Sequence, residues 1–144
     1  MVLQGVGLLN LIWPGKIEVC HQTQPNPTPY KSRLPMKQFT VNKTTFTLGT
    51  SAEDNWAIIR QAGREGFWVH MEGRPSAHVI INLDVGPTPE ELAYAASLIR
   101  EQTKSAPQAS PLKYVWSHVC NLKLGSKPGE VIFKSPLLLG YFDA

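Results

Sequence analysis

The sequence predicts an α+β domain: a mainly antiparallel β-sheet with two principal helices packed on it, in the order ββαββαβββ, behind an irregular N-terminal extension. Three observations carry this. Short runs rich in Val, Ile, Thr and aromatic residues alternate with two stretches of helical spacing. The strand runs come in close pairs, which favours antiparallel neighbours. Prolines 25, 27, 29 and 35 crowd the segment before Met36 and block regular structure there. The chain has 144 residues, 42% of them hydrophobic, enough for one domain with a real core.

Residues 1–36 divide into an apolar start, MVLQGVGLLNLIWPGK, and a linker, QTQPNPTPYKSRLP. The start lacks a basic n-region and a small-residue cleavage site, so it does not read as an export signal. No apolar run is long enough to span a bilayer. The domain is expected at 37–144.

QFTVN and TFTLGT read as two strands, with Asn42-Lys43 as a tight turn. Ser51 opens a helix, and Ser51 with Asp54 has capping-box spacing. Trp56, Ile59 and Gly63 recur at helical spacing, and Gly63 or Gly66 ends the helix. FWVHME follows as a strand, with Phe67, Val69 and Met71 on one face and Trp68, His70 and Glu72 on the other. AHVIINL is its neighbour. Thr88, Pro89 and Glu91 start a second helix, whose apolar stripe is Leu92, Ala95, Ala96 and Ile99. It fades by Ser105. KYVWSHV, EVIFK and LLLGYF are the remaining strands.

Composition narrows function. Fourteen basic against eleven acidic residues give a net charge of +3. Lys16, Lys31 and Arg33 against Glu18 leave residues 1–36 at +2 and the domain at +1. Any anion-binding face must therefore come from charge placement. Two cysteines, Cys20 and Cys120, exclude a disulfide-framework mini-protein and a four-cysteine zinc site, and read as free thiols in a reducing compartment.

The most informative segment is GFWVHMEGRPSAHVIINL. A hairpin turn centred on Arg74 sets His70 opposite His78, Trp68 opposite Ile80 and Glu72 opposite Ser76. That places two imidazoles and an indole on one sheet face, tools for stacking and hydrogen bonding to a polar ligand. A histidine on a strand is also commonly a hydrogen-bonded part of the core, and Trp68 is a natural core residue. His70, His78, His118 and Cys120 are metal-capable types, with His118 and Cys120 on one strand face. They lack any dense metal-ligand spacing, so no metal or cofactor is expected. Nothing local marks Cys120 as an activated nucleophile. In NLKLGSKPGEVIFK, Lys123, Lys127 and Lys134 are interleaved with Gly125, Pro128 and Gly129. Glycine admits close backbone approach to a phosphate and lysine adds charge. The plainer alternative is a solvated turn around Pro128-Gly129.

These residues also carry a family resemblance. The run from Phe39 onward resembles the NFACT-R domain, the RNA-binding module of ribosome quality-control factors and bacterial fibronectin-binding-protein-A-like proteins. The matching pieces are Gly49 with Ser51 and Asn55; Trp68 and His70; Pro75, Ser76, His78 and Val79; Ala93, Ala95 and Ala96; and Lys127, Pro128, Gly129, Val131 and Phe133. Only this module is matched. Recruitment of tRNA to a stalled large ribosomal subunit, which involves the family's other parts, is therefore not expected.

The resemblance implies a free-standing nucleic-acid-binding module for RNA (tRNA or rRNA, with DNA as the alternative). It implies a role in translation or ribosome quality control and no catalysis; a cytoplasmic location and no membrane partner are expected because nothing in the sequence directs the chain elsewhere. The expected contacts are Trp68, His70, Arg74, Ser76, His78, Lys123, Lys127 and Lys134. Two other classes remain open. One is a nucleic-acid-processing enzyme using His70 and His78 as an acid–base pair. The other is a scaffold in which Val6–Trp13 docks a protein partner or a second copy.

Overall fold

Asn42 and Lys43 both adopt positive φ, 50° and 70°, as a type I′ turn requires. They join β1 (Lys37–Val41) to β2 (Thr44–Leu48). The computed structural model describes residues 36–104, 106 and 111–144. The expected N-terminal extension, its Val6–Trp13 segment and Cys20 lie outside them, apart from Met36.

Helix α1 spans Ala52–Ala62. Its N-cap is Ser51, whose Oγ accepts the Asp54 N–H at 3.1 Å. The reciprocal half of the expected capping box is not made. Asp54 instead accepts the N–H and hydroxyl of Thr50 through Oδ2, at 3.0 and 2.6 Å. Aspartate is one methylene shorter than the glutamate of a full box, and here it reaches the preceding residue. Gly63, at φ 71°, ends the helix by donating to Arg60 O.

Strands β3 (Phe67–Met71) and β4 (Val79–Asn82) pair in the expected register, with Trp68 opposite Ile80 and Val69 opposite Val79. The ladder stops there, so β4 starts later than the sequence suggested. The segment before Val79 spends its backbone elsewhere. The His78 carbonyl accepts from Gly49 N–H, His78 N–H goes to Asn55 Oδ1, and Ala77 N–H goes to Thr103 Oγ1. Ser76 does not face Glu72; its Oγ accepts the Met71 N–H at 3.2 Å.

Helix α2 (Pro89–Gln102) carries the complete capping box between Thr88 and Glu91. After it come β5 (Lys113–His118), a 3-10 turn at Val119–Asn121, β6 (Leu122–Leu124), β7 (Val131–Phe133) and β8 (Gly140–Asp143). The additional strand β6 is only three residues long, too short to show alternation. The main sheet runs β1-β2-β4-β3-β5-β8 and is antiparallel throughout, while β6 and β7 form a separate pair.

The sheet is covered on both faces. Phe67, Val69 and Met71 join Phe46, Ile81 and Trp116 beneath Leu92, Ala96 and Ile99 of α2. Trp68, Ile80 and Val115 face the other way, beneath Ile58 and Ile59 of α1 and beside Leu122 and Phe133 of the β6–β7 hairpin. Two distinct apolar layers are thus buried by one alternating pattern. Among the described residues, no helix is long and apolar enough to cross a membrane.

Candidate functional site

Alternation along β3 puts Trp68 and His70 on the α1 side of the sheet, and the hairpin brings His78 to them. The indole Nε1–H of Trp68 donates to His78 Nδ1 at 3.0 Å. The two imidazoles meet edge to face, with ring centroids 4.6 Å apart, and His70 stacks on Trp68 at 5.4 Å. Burial pushes His70 down to about 4, against a smaller opposing effect from a backbone hydrogen bond at Met71. Burial, and then the neighbouring His70, hold His78 well below the usual imidazole range. Both rings are therefore neutral at pH 7. Since Nδ1 of neutral His78 accepts from Trp68, its proton sits on Nε2.

A cleft of about 390 Å³ opens beside this pair. Gly49, Thr50, Ser51, Ala52 and Asn55 bring the start of α1 to it, and Pro75–His78 form a wall with His70. Gln102 and Thr103 contribute the end of α2, while Pro128 and Gly129 contribute the hairpin turn. Asn55 organises the floor. Its Oδ1 takes the His78 N–H, and it lies so close to Gly49 that a Cβ there would collide with it.

The β6–β7 hairpin lies along α1. Trp56 Nε1–H donates to Glu130 O at 2.8 Å, and Arg60 lies 5.5 Å from the Trp56 ring centroid as a cation–π pair. At the tip, Glu130 Oε1 accepts from Ser126 N–H, Ser126 hydroxyl and Lys127 N–H. The two Ser126 bonds hold its carboxyl below the usual carboxylate range. At the base, Arg60, Lys123 and Lys134 line one depression of about 260 Å³, floored by Ile59, Val119 and Leu122.

The expected site residues thus separate into groups. His70, Ser76 and His78 line the cleft. Trp68 is 2% exposed, with its indole N–H engaged by His78, and offers no free face for a base to stack on. Lys123 and Lys134 share the basal depression, whereas Lys127 stands at the hairpin tip beside Pro128. Arg74 is exposed in the turn after β3 and does not line the cleft.

His118 is on the opposite sheet face from His70, against Phe67, and its Nδ1 accepts from Cys120 N–H. Cys120 leaves the strand in the 3-10 turn, so the two do not share a strand face. The expectation of a free thiol is also corrected: Cys120 is disulfide-bonded. No group of three metal-capable side chains occurs among the described residues.

Sequence reasoning missed Arg60, which sits on the exposed side of a helix with no motif around it. It also missed Gln102 and Thr103, which reach the cleft only through the tertiary fold. Arg60 and the lysines beyond the β-turn are polar residues at helix and strand positions where a solvated face is the ordinary reading.

No protein-family model matches the chain, and no curated protein matches it. Among solved structures, it is similar to the C-terminal part of the fibronectin/fibrinogen-binding protein from Streptococcus suis, with a TM-score of 0.67 and 19% identity. The match covers 93% of this chain and 55% of that one, so the chain spans about half the length of that structure. The likeness shows a related fold.

Proposed function

We propose that the chain is a nucleic-acid-binding module whose ligand is RNA, gripped by its backbone along the β6–β7 hairpin and α1. The observation that carries this is the convergence of Arg60, Lys123 and Lys134 on one depression, in a domain whose net charge is close to zero. Lys127 extends the basic line toward the hairpin tip. Cations grouped in this way neutralise phosphates and release their counterions. The resemblance to NFACT-R favours RNA, as tRNA or rRNA, and the fold related to that of the streptococcal protein agrees with that resemblance at the level of architecture. The resemblance also favours a role in translation or ribosome quality control. The alternative of an acid–base histidine pair is less well supported. A ring held near 4 is unprotonated at pH 7 and is a weak base.

The test is fluorescence anisotropy with labelled tRNA, and duplex DNA as comparator, at two salt concentrations. Salt-sensitive tRNA binding is expected. Lys123→Ala, Lys127→Ala and Lys134→Ala together should reduce the salt slope by about 2 to 3. An unchanged slope in the folded variant overturns the basic line, and no binding at low salt overturns the RNA reading.

A further inference from the structure

We infer that the basic depression at the base of the β6–β7 hairpin is closed by oxidation: a Cys20–Cys120 disulfide ties the segment around Cys20 over it, and reduction by a dithiol frees it. This inference rests on the RNA reading and makes access of RNA to that depression depend on redox state.

Cys120 is disulfide-bonded, and the bond lies within a single chain. The other cysteine of the sequence is Cys20, so Cys20 is its partner. Cys120 is no remote anchor. It lines the same depression as Arg60, Lys123 and Lys134. Whatever is bonded to its sulfur is held at the place where the three cations converge.

The path of the chain agrees. The 16 residues from His21 to Met36 join that tether to the domain. They can span at most about 55 Å. Met36 packs on the α1-side layer that contains Ile59, Val119 and Leu122. Those three residues also floor the depression. Both attachments of the loop, at Cys120 and at Met36, therefore fall on one side of the sheet.

The residues beside Cys20 match what they would cover. The depression has an apolar floor and a basic rim. Ile17 and Val19 suit the floor. Glu18 is the one acidic residue among 1–36, and it stands two residues from the tether. That is within about 7 Å along the chain. A carboxylate held there competes with phosphate for Arg60, Lys123 and Lys134. The bond makes this contact intramolecular, so a contact too weak to persist between separate molecules suffices.

Opening is a two-electron exchange. A dithiol attacks the disulfide as its thiolate and the S–S bond breaks. Two electrons and two protons pass to the sulfurs of Cys20 and Cys120, which become thiols. The reductant closes to its own disulfide. The segment is then held by Glu18 and two apolar side chains alone, and the many phosphates of an RNA displace it. An oxidising environment closes the site and a reducing one opens it.

The test compares the full chain without reductant and in dithiothreitol. Mass mapping of the unreduced chain should yield a Cys20–Cys120 linked peptide. Anisotropy with labelled tRNA should show about tenfold weaker binding for the oxidised chain, with a salt slope smaller by about 2 to 3. Cys20→Ser should bind like the reduced chain with or without dithiothreitol. Glu18→Gln keeps the bond and should recover part of the affinity lost on oxidation. Equal affinity in the two redox states, with salt-sensitive binding intact, overturns the inference and leaves the RNA reading standing. A map that links Cys120 to Cys120 of a second copy, or finds both thiols free after oxidation, overturns it as well. Absence of tRNA binding in both states removes the RNA reading, and amide exchange over Val119–Leu124 then judges the tether by itself. Slower exchange in the oxidised chain supports the covering of the depression, and identical rates overturn it.

Discussion

The Trp68 indole N–H and His78 Nδ1 form a 3.0 Å hydrogen bond between two side chains that are each 2% exposed. One bond does two things. It satisfies the indole in a layer otherwise made of Ile58, Ile80 and Val115. It also decides which nitrogen of His78 bears the proton, and so what the ring presents to the cleft.

Trp68→Phe should therefore destabilise the fold by about 2–4 kcal/mol, since the buried acceptor loses its donor and the smaller ring leaves a cavity. Urea denaturation reads this as a lower midpoint at constant slope. A midpoint equal to wild type would mean that the bond contributes nothing.

The two depressed histidines make stability depend on pH in a defined window. Folded His70 lies near 4 and His78 also lies low, while unfolded histidine titrates near 6.5. Between those values the unfolded chain binds more protons, so stability rises with pH. It is fully present above about 6.5 and is lost as pH falls toward 4. A His70→Gln variant should lose part of this slope, on the order of 1 kcal/mol between pH 6.5 and 5. Identical slopes in variant and wild type would contradict the burial of the charge-free ring.

Gly49→Ala should be among the most damaging small substitutions. The added methyl collides with Asn55 Oδ1, which holds the His78 backbone. A loss of about 2–4 kcal/mol is expected from overpacking and a broken buried hydrogen bond. Wild-type thermal stability in this variant would show that Asn55 can move without cost.

Glu130→Ala should loosen the hairpin tip without unfolding the sheet. Its carboxylate accepts three hydrogen bonds from Ser126 and Lys127. Amide exchange at those two residues should accelerate about tenfold, with the β3–β5 ladder unaffected. No change there would mean that the turn is held by the backbone bonds of Gly125 and Lys127 with Glu130 and by Trp56.

Much of this was legible in the sequence, for local reasons. Alternation along FWVHM separated the two apolar layers, because a strand has only two faces. The Thr88–Glu91 box and the Asn42-Lys43 turn depend on a few adjacent residues and were readable for that reason. The His70–His78 encounter followed from a turn centred on Arg74, although the ladder ends before it and side chains alone complete the contact. What stayed hidden depends on distant chain segments. Asp54 had the spacing for one capping partner and took another. Trp68 looked available for stacking because nothing local says that α1 and the hairpin will bury it. Arg60 meets Lys123 and Lys134 only after the hairpin has laid itself along α1.

The placement of β3 has a consequence for how the chain reaches this state. One of its partners, β4, comes after a short turn, whereas the other, β5, arrives only after the whole of α2. The first pairing closes a small loop and costs little chain entropy. The second closes a large one, and Trp56 finds Glu130 over a greater separation still. The β3–β4 hairpin can therefore form early, while β5 and the β6–β7 hairpin are added late. Folding of this topology should be slower than that of a helical bundle of equal length. Substitutions in β5 should act mainly on the rate of unfolding, if its contacts form after the transition state.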